Sequence, residues 1–441
     1  MSLKVAKFGG SSVADAIQLA KVKQIIEQDP ARRYIVVSAP GKRFDGDNKM
    51  TDLLYLCRTH IEHNVPYDQV FQVICDRFRA MEMNLGVEVD LEREFDIIRE
   101  NLDNGAGPDY IASRGEYLNA LITASYLGYD FVDAAGLILF DEKGRFLDEA
   151  TDAALREELL KHQCAVVPGF YGTTPDGKVK TFSRGGSDIT GSLVARAVGA
   201  DVYENWTDVP GFLVADPRIV SNPDPIERVS YQELRELSYM GASVLHEDAI
   251  YPVRTADIPI NIRNTNDPDC PGTTIVAESR PKDDRVITGI AGSKGFTVIT
   301  LYQNMMSSER GFVRRTLGVF EDMGINFEHL PTGIDTLSIV VSNKELKDQL
   351  SDLLEEIQRR VHPDHIEVSD DIALIATVGW GMARRTGTAA KLFAALAGAK
   401  VNIRMIDQGS SEMNIIVGVH NKDFETAIRA IYKAFCGKPE E

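Results

Sequence analysis

The sequence predicts an α/β sandwich with a mostly parallel sheet, followed by two ferredoxin-like α+β units, on three observations. Its 441 residues exceed what one hydrophobic core organises, so two or three domains are expected. Over residues 1–284, short β-branched or aromatic runs alternate with amphipathic stretches, as in strands joined by crossover helices. Beyond them a strand–helix–strand–strand–helix order occurs twice, with Asn326 and Asn402 in equivalent places. That spacing suits a duplicated βαββαβ unit.

In the first part, buried strands are expected at 3–8, 34–38, 131–133, 164–168, 202–206 and 258–262, where apolar residues run almost continuously. Helices are expected at 14–28, 52–63, 68–85, 110–127 and 189–198. The polar, proline-containing run 279–285 (SRPKDDR) marks the boundary between a domain of residues 1–284 and a tail of residues 285–441. The first tail unit, at roughly 296–368, reads as strands at 297–301, 325–330 and 337–342, with helices at 312–323 and from 344. The second, at roughly 372–441, reads as strands at 373–378, 401–406 and 414–419, with helices at 389–397 and from 423. Pattern alone leaves this pair as either a structural duplication or a regulatory module.

Composition narrows the function. Hydrophobic residues at 44% and charged residues at 26% suit a soluble globular protein, and no apolar run has the length of a membrane span. The start Met1-Ser2-Leu3-Lys4 runs into a strand without a signal-peptide pattern. Five scattered cysteines, an odd number, read as reduced thiols, so a cytoplasmic protein with no membrane partner is expected. A net charge of −18 argues against nucleic acid as a partner. Any anionic ligand must therefore be met by cations concentrated locally.

Two places meet that need. Lys7-Phe8-Gly9-Gly10-Ser11-Ser12 ends the first strand and precedes a helix, leaving backbone N–H groups unobstructed beside a lysine. Ser183-Arg184-Gly185-Gly186-Ser187-Asp188 follows a strand at 178–182 and offers a guanidinium, free N–H groups, a hydroxyl and a carboxylate. A single Gly-Gly turn is explained by backbone need. Two of the same build, each with a cation, point to an anion gripped from two sides. Downstream, Asp208 and Asp216 are candidates for Mg²⁺ or nucleotide hydroxyls, and Arg218 for phosphate. Ser113-Arg114-Gly115-Glu116 is a charged pair in an apolar helical stretch, either a helix-end device or, through Glu116, a seat for a substrate ammonium.

These runs, with Asn205–Gly211, Asp216-Pro217-Arg218 and the string MGASVLH at 240–246, together resemble the aspartokinases. The tail string VNIRMIDQGSSE at 401–412 is similar to that family's second ACT domain. The resemblance spans almost the whole chain. It implies a three-layer αβα sandwich of the amino acid kinase fold, and transfer of the ATP γ-phosphate to the aspartate β-carboxylate under end-product control. The chain resembles the monofunctional form. Carried over, the resemblance makes Lys7 and Asp188 catalytic. Ser11, Thr51, Glu116, Arg184, Gly185, Gly186 and Ser187 would bind aspartate, with Glu116 on the ammonium and Arg184 on the α-carboxylate. Lys7, Gly9, Gly10, Thr207, Asp208, Leu213, Arg218, Ser243 and Val244 would serve ATP and its Mg²⁺. The family often has an aromatic at position 213 and a lysine at 243, so Leu213 and Ser243 depart from it, and Lys42 or Arg43 is a possible replacement cation.

For regulation, the resemblance places an effector amino acid against Met306, Gly311, Phe312, Val313, Phe327 and Glu328. Lysine is favoured over threonine, at an ACT interface that would make a homodimer or homotetramer. Two rivals stand beside this reading: a kinase for glutamate or acetylglutamate, and a catalytically inactive amino-acid sensor.

Overall fold

The computed structural model describes residues 2–183, 185–241, 247–277 and 285–437. The chain forms two compact units. The first comprises Met1–Phe212, Glu227–Tyr231 and Val244–Ser279, and the second Leu213–Ile226, Gln232–Ser243 and Arg280–Glu441. Of the expected linker 279–285, only Arg285 lies among the described residues.

The first unit is built on an eight-stranded sheet. Its spatial order is Asp130–Phe131, Ala165–Pro168, Arg32–Val37, Lys4–Phe8, Val202–Thr207, Ile260–Asn264, Thr273–Val276 and Arg228–Ser230. Every neighbouring pair is parallel except Ile260–Asn264 with Thr273–Val276. The central strands are buried on both faces because helices cover both. One layer is a core of Ile25, Ile35, Phe71, Phe78 and Ile122. The expected helix 68–85 is observed as Asp68–Leu85, and that at 110–127 begins two residues earlier, as Pro108–Leu127 with proline in its first turn. Over residues 1–284 four helices lie outside the expected set, Leu91–Asp103, Asp148–Leu159, Tyr231–Tyr239 and Glu247–Thr255. The first carries a helical period in Leu91, Phe95, Ile98 and Leu102, all buried, masked in the sequence by the charges between them. The strands Arg228–Ser230 and Thr273–Val276 are too short to show a period.

The second unit carries one five-stranded sheet, ordered Thr336–Ser342, Gly289–Tyr302, His365–Val378, Asn414–His420 and Met405–Asp407. The two βαββαβ units are thus not separate sheets. Gly289–Tyr302 and His365–Val378 are each fourteen residues long and pair antiparallel along their length. The second half of His365–Val378 pairs with Asn414–His420, and the second half of Gly289–Tyr302 lies between Thr336–Ser342 and the first half of His365–Val378. Register shifts between Lys294 and Val298 mark the crossover. Two expected strands are corrected. At 325–330 only a bridge forms, with Glu328 N–H donating to Val340 C=O at 2.7 Å and Val340 N–H to His329 C=O at 2.9 Å. Pro331, without an N–H, interrupts that ladder, which resumes at the Thr332–Leu337 bridge. The strand expected at 401–406 shrinks to Met405–Asp407, because Lys400 turns left-handed and pairing with Gly418 begins only at Arg404.

Two earlier segments belong to this unit for physical reasons absent from local sequence. Ala215 and Val220 are buried in one cluster with Ile290, Leu392 and Phe424. Glu233 accepts from the Thr288 hydroxyl at 2.5 Å and from the Trp380 N–H at 2.9 Å. Among the described residues no helix is long and apolar enough to cross a membrane.

Candidate active site

The candidate site lies within the first unit. Lys7 sits near the C-terminal end of the strand Lys4–Phe8 and is only 7% exposed. The chain then turns through Gly9 into the short 3₁₀ helix Gly10–Val13, and Asp15 caps the helix Ala16–Glu27 by accepting from Gln18 N–H at 2.9 Å. Gly9 N–H donates to Trp206 C=O at 2.9 Å and Gly41 N–H to Gly10 C=O at 2.8 Å. The two backbones touch at this second contact. A Cβ on Gly41 would lie 2.7 Å from the Gly10 carbonyl carbon, so only glycine closes it.

The second turn opens the helix Gly186–Val198, with Gly185 left-handed at its N-cap. Asp188 therefore sits in a first helical turn, where a carboxylate is favoured. Its Oδ1 lies 2.6 Å from Lys7 Nζ and accepts from Asn205 Nδ2 at 2.7 Å. The sheet thus brings together two motifs about 180 residues apart in sequence.

Beside this pair is an open pocket of about 490 Å³ lined by Gly10, Ser11, Ser38, Ala39, Pro40, Gly41, Lys42, Lys49, Thr51, Glu116 and Asp208. Glu116 is its buried acid. Burial pushes its carboxyl up to about 8, against the opposing effects of hydrogen bonds from backbone N–H groups, including that of Ala39, and the charges of Arg114 and Lys7. Its Oε2 has no hydrogen-bond partner among the described residues. Three residues later on the same helix, Asn119 donates to Ser38 C=O at 2.7 Å. Those two side chains hold the segment that forms one pocket wall.

The wall at 40–49 is held from behind by Arg77, which is 5% exposed. Its guanidinium donates to the carbonyls of Asn48 at 2.9 Å, Ala14 at 3.0 Å and Gly41. Arg43 binds Asp47 through two side-chain bonds, at 2.8 and 3.0 Å, and holds that carboxyl well below its usual range. Arg43 is thus committed to Asp47, while Lys42 and Lys49 stand exposed at the pocket. In a chain of net charge −18, this is a local concentration of positive charge.

The structure brings Lys7, Gly9, Gly10, Ser11, Thr51, Glu116, Asp188 and Asp208 to one end of the sheet. Ser187 is buried in the same helical turn, and Thr207 donates to Asp208 at 3.2 Å. Arg184, Ser243 and Val244 lie outside the described residues. Leu213 and Arg218 belong to the second unit, where Arg218 is occupied by the Asp216 carboxylate, 2.6 Å from it. Also in the second unit, Met306 and Phe312 are core residues, buried with Val319 and Leu337. Gly311 caps the helix Phe312–Asp322, Val313 packs at the core's edge and Phe327 is 40% exposed. The Glu328 side chain is hydrogen-bonded by the Tyr239 hydroxyl. Sequence reasoning missed Asn205, Asn119 and Arg77, whose roles arise from contacts far along the chain.

A cation held between two glycine turns at the end of an αβα sheet is the site of a kinase that brings a phosphate to a small anionic acceptor. The model of the amino acid kinase family matches residues 2–264, and that of the ACT domain residues 375–435. The chain is 38% identical to Aspartokinase 3 of Bacillus subtilis (strain 168), with 98% of each chain covered. It superposes on the aspartate kinase of Clostridium acetobutylicum with a TM-score of 0.92 and 50% identity, over 99% of this chain and 100% of that one. For E. coli aspartokinase III in complex with aspartate and ADP the TM-score is 0.72 at 25% identity, covering 98% and 99%. The chain belongs to the aspartokinase family.

Proposed function

We propose that this protein transfers the γ-phosphate of ATP to the β-carboxylate of L-aspartate, giving β-aspartyl phosphate, the first step toward lysine, threonine and methionine. The observation that carries the site reading is the Lys7–Asp188 pair, 2.6 Å apart, beside a pocket whose buried acid Glu116 lacks a partner on one oxygen.

The chemistry follows from charge. The acceptor carboxylate is already ionised at pH 7 and needs no general base. The barrier is the approach of two anions, so catalysis is alignment and charge neutralisation. Lys7 supplies a fixed ammonium, the N–H groups of Gly10 and Ser11 beyond the Trp206-bound Gly9 supply dipoles, and the N-terminus of Gly186–Val198 faces the same region. Glu116 receives the substrate ammonium, Arg184 the α-carboxylate, and Ser11, Thr51 and Ser187 give hydroxyls. Gly185, left-handed at the N-cap, and Gly186, packed where a Cβ would come within 2.5 Å of the Phe170 ring, shape the turn that meets the substrate. Thr207, Asp208 and Val244 serve the nucleotide.

No group of three metal-ligating side chains occurs among the described residues. The residues present fit a Mg²⁺ carried on the phosphates and met by a single protein carboxylate, for which the exposed Asp208 is suited. The ion would neutralise phosphate charge. A hydroxamate-trapping assay with Mg-ATP and aspartate, repeated with glutamate and acetylglutamate, tests this reading. Product from glutamate alone would favour another amino acid kinase, and no ATP consumption with any of them a sensor.

For regulation we take residues 285–441 as a tandem ACT module that joins two or four chains and binds lysine, with threonine second. The E. coli enzyme, 25% identical to this chain, has been solved with lysine and aspartate in a T-state. In this chain Glu328 offers a carboxylate for an effector ammonium, and the first turn of Phe312–Asp322, beyond Gly311, offers N–H groups for its carboxylate. Met306 and Phe312 would support that turn from the core.

A further inference from the structure

We propose that Asn205 is a positioning residue for phosphoryl transfer, its neutral amide holding the Asp188 carboxylate in place while Lys7 shares its charge with the incoming phosphate. The inference rests on the roles given above to Lys7 and Asp188.

The placement comes from strand register. Lys7 and Asn205 are directly paired on parallel neighbours, so their side chains leave the same face of the sheet, with strands about 4.8 Å apart. Both reach Asp188 Oδ1, at 2.6 and 2.7 Å. Tyr203, two residues earlier and hence on the same face, donates its hydroxyl to the Asp188 backbone carbonyl at 3.1 Å. That hydroxyl oxygen in turn accepts from the Asn205 amide. Gly191 makes room for this, since a Cβ there would come within 2.5 Å of the Tyr203 hydroxyl. The strand Val202–Thr207 therefore grips Asp188 by its carbonyl and by its carboxylate.

The physical need for a second donor is clear from burial. Lys7 is 7% exposed and Asn205 4%. Were Lys7 the only partner, a carboxylate in this place would follow the ammonium when it turned toward phosphate. A second cation would cure this at the expense of a competing charge. A carboxamide compensates the carboxylate without titrating and without drawing the phosphate away. Asp188 is faced by Lys7 from one strand and Tyr203 from the next, and Glu116 is the next carboxyl, interacting with Lys7.

The test is Asn205→Asp, which keeps the shape, removes the donor and sets a second carboxylate against Asp188. Expected is a kcat loss of about 10²-fold from misplacement of Lys7 and Asp188. The acid limb of the kcat–pH profile should move up by about one unit or more, because two adjacent carboxylates share a proton. KM for aspartate and ATP should change less than about threefold, as for a group acting after binding. Asn205→Leu, which cannot ionise, should lose turnover with a smaller shift of the limb, and it decides the matter if the Asp variant does not fold. Folded variants with near-normal kcat and an unmoved acid limb overturn the proposal. Lys7→Met, measured alongside, separates the two readings. If it abolishes turnover while the Asn205 variants do not, this inference alone fails. If it keeps turnover, the role of Lys7 fails and this inference with it.

Discussion

Between pH 7 and pH 8 the KM for aspartate should fall about fivefold while the KM for ATP stays level, if Glu116 receives the substrate ammonium. Burial raises the Glu116 carboxyl to about 8, so in the free enzyme it is mostly protonated at pH 7. About one molecule in eleven carries the carboxylate at pH 7 and about one half at pH 8. Only the ionised form pairs with an ammonium, and the apparent affinity scales with that fraction. Binding at pH 7 should therefore release close to one proton, measurable by calorimetry in buffers of different ionisation enthalpy. The same group has an opposite signature in stability. Its folded-state value is raised, so its contribution is complete below about pH 4.5 and is lost as pH rises through about 8. Glu116→Gln should flatten both dependences and raise the aspartate KM at pH 8. An aspartate KM that is flat from pH 6 to 8 in the wild type, or a slope that survives in Glu116→Gln, would refute the assignment.

Three further outcomes follow from the site and the tail. Lys7→Ala should lower turnover by about 10²–10³-fold, as for loss of one preorganised donor, and near-normal turnover in a folded variant would remove Lys7 from the mechanism. Arg184→Lys should raise the aspartate KM with little change for ATP, since a bidentate carboxylate contact needs the planar guanidinium, whereas an effect confined to ATP would reassign this turn to the nucleotide. Glu328→Ala should weaken lysine inhibition, and saturating aspartate with ATP should weaken lysine binding reciprocally in the wild type. Unchanged lysine sensitivity in that variant would exclude the proposed effector pocket.

Much of the catalytic unit was legible before any coordinates because its signals are local. A lysine and two glycines at the end of a strand read as an anion-facing turn, and Tyr34–Val37 of the strand Arg32–Val37 is a continuous apolar run that suits a doubly covered sheet. The tail was less legible. Its duplication was readable, but a sequence period reports which residues are buried and not which strand they pair with. The exchange of the two fourteen-residue strands depends on cross-strand register, so two apparent domains share one sheet. The expected strand at 325–330 has the right composition and fails at Pro331, which interrupts the ladder of hydrogen bonds.

The sequence by itself determined the chemistry on offer: two glycine turns, one bearing Lys7 and the other Asp188, an acid in an apolar helical stretch and a net acidic chain that had to gather its positive charge locally. Tertiary structure alone decided how those parts are tuned. Glu116 is an ordinary glutamate in sequence and a mostly protonated one at neutral pH because the helix buries it. Arg43 looked available for phosphate and is bound to Asp47, while Arg77, unremarked in the sequence, holds the pocket wall through three carbonyls. Asn205 gained its place only when two parallel strands put it beside Lys7. A residue's charge and shape are written in its identity, but its solvation and its partners are set by segments distant in sequence, and those govern its ionisation and reach.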